Sequence, residues 1–281
     1  LLALGGIAGN AIRSLAVEPS HQGEGILPAL VSHLYQTMKD DGVSNVFVVT
    51  KPRYAPLFSS LCFNELAQTA DAVLLESSNR AFSRYLASLP KADGAIVMNA
   101  DPFTLGHRHL VETASKNCTN LNVFVLSSEA SHVPADARLR LVCEGCRDLT
   151  NVRVLAGGDY IISGATFPDY FFKDKTEAAL AFARLDATLF AERIAPACGI
   201  VTRFVGEEPL DPMTAAYNET LCDVLPKHDI NVSVIPRKTI GQTPISASRV
   251  RALWRERKID EIAPLVPETT LAYIRENPLC D

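Results

Sequence analysis

Residues 94–110 read GAIVMNADPFTLGHRHL. The apolar run at 94–98 stops at a polar turn, and HRHLVETASKN (107–117) then carries helical periodicity. A short continuous apolar run suits a strand buried on both faces, and a helix directly behind it makes a strand–helix unit. The rhythm repeats downstream. NVFVLS (122–127), ADARLRLVCEGC after Pro134 and VRVL (152–155) read as strand, helix and strand. TEAALAFARLDATLFAERIA (176–195) reads as one long helix before the strand GIVTRFVG (199–206). A helix over 212–224, the strand NVSVIP (231–236) and helical patterns at 246–256 and 268–276 complete the pattern. Short strands alternating with helices predict a doubly wound, Rossmann-like α/β domain with a parallel sheet over 94–281.

Upstream the pattern is smaller. AIRSLAV (11–17), VFVVT (46–50) and AVLLE (72–76) have strand character. EGILPALVSHLYQTMKDDG (24–42) is a helix that stops at a Gly, and LFSSLCF (57–63) suggests a second. Residues 1–76 thus form a small α/β unit, and the amphipathic SSNRAFSRYLASLPKAD (77–93) is a connector helix.

Bulk properties exclude several classes. A net charge of −5 gives no broad electrostatic footprint for nucleic acid or for an anionic membrane. An anionic ligand must instead meet local basic residues or backbone N–H groups. No apolar run reaches the roughly 18 residues of a spanning helix. LLALGGIAG, at the start, is short and lacks a basic flank, so it does not read as a signal peptide. The absent initiator Met implies a chain that begins inside a longer protein. Seven cysteines at scattered spacing suit reduced thiols in a cytoplasmic protein. The lone C-x-x-C at Cys143 and Cys146 lies in a helical pattern with no second pair, which favours packing over zinc or redox chemistry.

Ligands of a doubly wound sheet sit beyond the C-terminal strand ends. The turn DPFTLGH (101–107) occupies such a place. Gly106 would let a phosphate approach the backbone, and the following helix start offers free N–H groups. His107 could donate to a phosphate oxygen as charge builds. A plain capping turn with a surface histidine explains the same residues. PISASRVRALW (244–254) sets Ser246, Ser248, Arg249 and Arg251 at another helix start, where they either cap the helix or bind phosphate.

Taken together, DPFTLGH and ISASRVR resemble the T/H-x-G-H and I-S-x-S/T-x-x-R signatures of the nucleotidyltransferase superfamily. MNADP replaces its usual G-x-F-D-P; Asp101 and Pro102 match, whereas Met98 and Ala100 depart. GAIVMNADPFTLGHRHLVETAS, VPADARLRLVCEG, GGDYIISGATFPDYFFK and RFVGEEPLDPMTAAYNETL resemble, more narrowly, the citrate (pro-3S)-lyase ligase family over 94–281. LAVEPSHQGEGILPALVSHL (15–34) is similar to the coenzyme A loop of GNAT acetyltransferases, with Gln22, Gly23 and Gly25 at its Q/R-G-x-G core. LFSSLCFNEL (57–66) resembles the later helix-and-strand motif of that family, with Cys62 where Gly is common. Leu27, in place of the small residue that ends the loop motif, and the shortened beginning speak against independent acetyltransferase activity.

The resemblance implies an enzyme that activates acetate with ATP and Mg²⁺ as acetyl-AMP. It then passes the acetyl group to the thiol of a CoA-derived group on the citrate lyase acyl carrier subunit. It implies His107 and Thr104 at the breaking bond. Asn99, Asp101, Pro102, Phe103, Gly106, Arg138, Ser246, Ser248, Arg249 and Arg251 would surround ATP. Gln22, Gly23 and Gly25 would hold the CoA-like arm, or the first unit is purely structural. No dedicated carboxylate cage for a metal is visible. The segment 157–173, with Phe167, Tyr170, Phe171 and Phe172, would shape the acetate pocket, receive the arm or simply pack. Another adenylyltransferase, such as one acting on pantetheine phosphate, and a nucleotide-sensing module without turnover are the competing readings.

Overall fold

A computed structural model of the protein describes residues 1–127, 131–161, 177–209, 211–241 and 243–279. Two five-stranded sheets organise these residues. The chain opens with β1 (Ala3–Ala8) and β2 (Ala11–Val17), continues through α1 (Ile26–Asp40), β3 (Phe47–Thr50) and α2 (Ala55–Ser60), and reaches β4 (Asn64–Gln68) and β5 (Val73–Glu76). Their order is β1-β2-β3-β5-β4, and only β2 and β3 run parallel. β1 escapes the sequence pattern because Leu4 and Ile7 are exposed, so it lacks an alternating buried face. α3 (Ala81–Ser88) follows; it is shorter than the connector expected over 77–93.

The second sheet is built from β6 (Gly94–Met98), β7 (Leu121–Val125), β8 (Val152–Ala156), β9 (Thr202–Gly206) and β10 (Asn231–Ile235). All its pairs are parallel, in the order β10-β9-β6-β7-β8. The chain leaves β6 toward β7 and β8, then returns to its other side through β9 and β10. That reversal makes β6 the topological switch point, where a parallel sheet opens a crevice at its C-terminal edge.

Side chains of β6 alternate between two cores, as the period of two demands. Ile96 and Met98 face a cluster formed with α4 (Leu105–Ser115), α5 (Ala135–Gly145), α9 (Ala247–Arg255), α10 (Ile259–Ile262) and α11 (Glu268–Glu276). Ala95 and Val97 face α6 (Glu177–Leu189), α7 (Ala195–Cys198) and α8 (Pro212–Val224). The same cluster takes in Ala11, Phe47, Leu66 and Leu74 of the first sheet and Phe82 of α3. The two sheets therefore share one apolar core. α1 and α2 cover the opposite face of the first sheet, against Ile12, Val48, Val73 and Leu75.

The long helix expected over 176–195 is interrupted. A π turn at Phe190–Ile194 separates α6 from α7, where the Arg203 guanidinium lies 4.6 Å from the Phe190 ring centroid. The helix then runs on to Cys198 and stops at Gly199, whose φ of 83° suits a glycine. A two-stranded hairpin, β11 (Thr239–Ile240) with β12 (Thr243–Pro244), leads into α9.

Candidate functional site

The turn after β6 folds down before α4 begins. Ala100 adopts a φ of 53°, and Asp101, Pro102, Phe103 and Thr104 are all buried. Thr104 caps α4: its hydroxyl accepts from the His107 N–H at 3.3 Å, while the Thr104 N–H donates to His107 Nδ1 at 3.1 Å. The reciprocal arrangement is a capping box with histidine in the third helical position. An Nδ1 that accepts a backbone N–H carries no proton, so the neutral ring bears its hydrogen on Nε2. Burial, followed by the charges of Arg237 and Arg251, lowers the His107 pKa to about 4; Asp101 opposes the shift. The imidazole is thus a neutral Nε2–H donor at physiological pH. Phe103, wholly buried, stacks on it at 5.9 Å and 13°. Phe103 in turn lies against Gly145, where an added Cβ would fall 2.5 Å from its ring.

Thr104 and Arg138 sit differently from the sequence expectation. Thr104 is 1% exposed and its hydroxyl is turned onto His107, so it orients the ring. Arg138 is 0% exposed beneath the turn. It donates through Nε to the Val133 carbonyl at 2.9 Å, through Nη1 to the Asn99 carbonyl at 3.0 Å, and also to Asn99 Oδ1. Asn99 itself is exposed. Because Arg138 and Ser131 occupy its Oδ1, its amide nitrogen is the end left to donate outward.

The second motif arrives at the same place. Ser246 caps α9 by accepting the Arg249 N–H at 3.2 Å, and the Ser248 hydroxyl donates to Ser246 Oγ at 3.2 Å. An added Cβ on Gly106, in the first turn of α4, would lie 3.1 Å from the Ile245 carbonyl. The two helix starts therefore abut, and a side chain on residue 106 would press them apart. Arg251 Nη1 donates to the Asp101 carbonyl and lies 3.8 Å from Asp101 Oδ2. The Asp101 carboxylate also accepts the N–H groups of Val133 at 2.8 Å and His132 at 3.1 Å. Ser248 and Arg249 are exposed and Arg251 half-buried. The result is two helix N-termini, a neutral imidazole donor and arginines gathered at the C-terminal edge of the sheet, where a doubly wound fold binds its ligands: an arrangement suited to a polyphosphate.

Sequence reasoning missed Arg237 and Glu208. Arg237 follows β10, and Glu207 and Glu208 follow β9, so all three stand at C-terminal strand ends. Arg237 Nε donates to the Glu207 carbonyl at 2.8 Å, and its Nη2 pairs with the Glu208 carboxylate. The available signal was position alone, a basic residue directly after a strand of the parallel sheet.

Gln22, Gly23 and Gly25 lie in the other unit, and their bonds are local. Gln22 Nε2 donates to the Val17 carbonyl at 3.4 Å. Gly23 and Gly25 have φ of 90° and 79°, with nothing within 4 Å of an added Cβ. Gly25 precedes α1 and offers no side-chain cap, which leaves the first N–H groups of that helix free. β2 pairs with β3 only through Ala11 and Ile12, so the two strands part toward this loop.

Of the segment 157–173, only 157–161 falls within the described residues; Phe167, Tyr170, Phe171 and Phe172 lie outside them. Burial pushes the Cys146 thiol up to about 12 and raises that of Cys143, so neither is an activated thiolate. Among the described residues, no group of three or more His, Cys, Asp or Glu could hold a metal ion. No described helix is long and apolar enough to cross a membrane.

Residues 93–274 match the model of the citrate lyase ligase C-terminal domain family. A citrate pro-3S-lyase ligase of Klebsiella pneumoniae is 40% identical over 287 residues, which cover 98% of this chain and 84% of that protein. The enzyme of the same name from Escherichia coli K12 is 38% identical, with 98% and 82% covered. Among solved structures, Thermotoga maritima TmcAL bound with alpha-thio ATP matches 65% of this chain and 55% of its own at 14% identity and a TM-score of 0.43. That likeness is too slight to argue from.

Proposed function

Since this chain belongs to the citrate lyase ligase family and is thereby an enzyme of the ligase class, we propose that it activates acetate with ATP to form acetyl-AMP and pyrophosphate. It then transfers the acetyl group to the thiol of a CoA-derived group on the acyl carrier subunit of citrate lyase, in the cytoplasm. The observation that carries this reading is the abutment of the α4 and α9 starts around His107.

The first step needs no general base, because an acetate carboxylate is already a nucleophile at neutral pH. Positioning and charge stabilisation suffice. In the proposal, His107 Nε2–H donates to an α-phosphate oxygen as the bond to pyrophosphate breaks. Asn99 adds its amide, and the free N–H groups of Leu105 and Gly106 line the same side. Ser246, Ser248, Arg249 and Arg251 hold the leaving pyrophosphate. Asp101, Pro102 and Phe103 shape the turn, while Thr104 and Arg138 hold His107 and Asn99 in place. Mg²⁺ fits a site of this donor set only on phosphate oxygens and its own waters, and it would neutralise part of their charge.

For the second step, Gln22, Gly23, Gly25 and the uncapped start of α1 would receive the pyrophosphate of the CoA-derived arm. The unpaired edge between β2 and β3 is a place for its amide-bearing chain.

The test is exchange of labelled pyrophosphate into ATP. Exchange that requires acetate supports the ligase reading. Exchange that requires phosphopantetheine instead would establish the competing adenylyltransferase, and no exchange at all would favour a sensing module.

A further inference from the structure

We infer that Arg237, clamped by Glu208, is a further cation on the polyphosphate of ATP, acting in adenylation and not in the acyl transfer that follows. The assignment of the two steps rests on the function proposed above; the assignment of Arg237 to a triphosphate rests on geometry.

β9 and β10 run parallel in register through Gly206 and Ile235, and the Glu207 N–H donates to the Ile235 carbonyl at 2.9 Å. This last rung sets Glu207 and Glu208 beside Arg237 just beyond the sheet, on the nucleotide edge of a doubly wound fold. The Glu208 carboxylate is itself fixed, since its Oε1 accepts the Asp211 N–H at 3.0 Å. The side chains of Glu208 and Arg237 are 9% and 22% exposed. A pair this enclosed is oriented, unlike a loose surface pair.

A guanidinium has five N–H donors in a rigid fork. Glu207 and Glu208 engage Nε and Nη2, and the other edge of the fork is not used by either. Its charge reaches the neighbouring motif: after burial, Arg237 is the largest influence lowering the His107 pKa, ahead of Arg251. The backbone places it beside that motif: the carbonyl of the next residue, Lys238, accepts the Ile245 N–H at 3.0 Å, and Ile245 abuts Gly106 in the first turn of α4. An arginine at this edge, braced from behind by a carboxylate, suits phosphate oxygens, and the comparison of ATP with AMP in the absence of acetate separates them from the acetate carboxylate. Acetyl-AMP lacks the pyrophosphate, so the cation is dispensable once adenylation is complete. Glu208 is a positioning residue that aims the fork.

Arg237→Gln, Arg237→Lys and Glu208→Gln test the inference through three measurements. Calorimetry compares ATP with AMP. Arg237→Gln should weaken ATP binding tenfold or more and leave AMP within about threefold, a difference that a general loss of structure does not produce. Acetate-dependent exchange should fall about 10²-fold in Arg237→Gln, partly recover in Arg237→Lys, and fall about tenfold in Glu208→Gln. Transfer from synthetic acetyl-AMP to deacetylated citrate lyase should stay within about threefold of the parent. Equal weakening of ATP and AMP, or an equal fall in both half-reactions, would overturn the inference in favour of a structural pair. So would ATP binding and exchange that stay at the parent level. If the parent chain shows no acetate-dependent exchange, the function proposed above fails, and the comparison of ATP with AMP still decides for or against Arg237.

Discussion

His107 illustrates how one backbone bond fixes the chemistry of a side chain. The Thr104 N–H occupies Nδ1, so the proton of the neutral ring must sit on Nε2. With a pKa of about 4, the ring keeps that form across the physiological range. His107→Ala should lower acetate-dependent exchange about 10²- to 10³-fold, the usual cost of one donor to developing phosphate charge. The pH profile of exchange should show no inflection near 6.5 that disappears in His107→Ala; finding one would show that the imidazolium is the working form. Stability carries a matching signature. The unfolded chain protonates this histidine near 6.5 and the folded chain only near 4, so the unfolded state binds more protons between those values. The stabilisation is complete above about 6.5 and is lost as pH falls toward 4. Acid unfolding of His107→Gln should lack that component, as urea titrations at pH 7 and pH 5 would reveal. Phe103 holds the ring from behind, and Gly145 makes room for Phe103. Gly145→Ala should therefore cost about 1–3 kcal/mol by overpacking and lower exchange as well, although it touches no ligand.

Two helix starts that touch make a larger device than either alone. α4 and α9 each aim free N–H groups and a positive dipole end at the crevice, and their closeness depends on Gly106. Gly106→Ala would set its Cβ 3.1 Å from the Ile245 carbonyl and 3.3 Å from Thr104 Oγ1. The helices must then part by a few tenths of an ångström. Exchange should fall about tenfold while the thermal midpoint moves only a few degrees, since little buried area is lost. Much of this element-level layout was legible in the sequence. GAIVM and NVFV announce buried strands because both faces of a parallel sheet are covered, and the polar turn between GAIVM and its helix marks the crevice. ISASRVR announces a capped, arginine-bearing helix start. Other parts were hidden for physical reasons. β1 is an edge strand with exposed leucine and isoleucine, so it has no alternating pattern. The π turn at Phe190–Ile194 leaves the hydropathy of the surrounding helix unbroken. Arg138 carries the same charge in sequence as Arg251, and only the fold reveals that one is sealed beneath the turn while the other borders the crevice. Arg237 and Glu208 are 29 residues apart, and only strand register brings them together.

At the scale of the whole molecule, the two sheets are joined through a buried polar knot as well as through the shared core. Glu76 ends β5, which lies between β3 and β4 in the first sheet, and is 2% exposed. Its Oε2 accepts from Asn45 Nδ2 at 2.6 Å and from the Tyr160 hydroxyl at 2.7 Å, while Oε1 accepts the Phe82 N–H at 3.3 Å. Tyr160 comes from the strand end after β8, so a residue bordering the second sheet satisfies a carboxylate of the first. Its ring packs on Phe47, Phe82 and Tyr85, drawing α3 into the same contact. A connector that only tethered two bodies would bury no such group, because an unsatisfied buried carboxylate is costly. Tyr160→Phe removes one donor and leaves the apolar packing in place. The loss should be about 1–3 kcal/mol, and it should appear in both halves of the molecule. Far-ultraviolet circular dichroism and the fluorescence of Trp254, which lies in the core of the second unit, should report one coincident unfolding transition for parent and variant alike, shifted to lower denaturant in the variant. Separate transitions in the parent would mean that the sheets fold independently. In that case a change in the loop of Gln22, Gly23 and Gly25 could not reach the surroundings of His107 through the shared core.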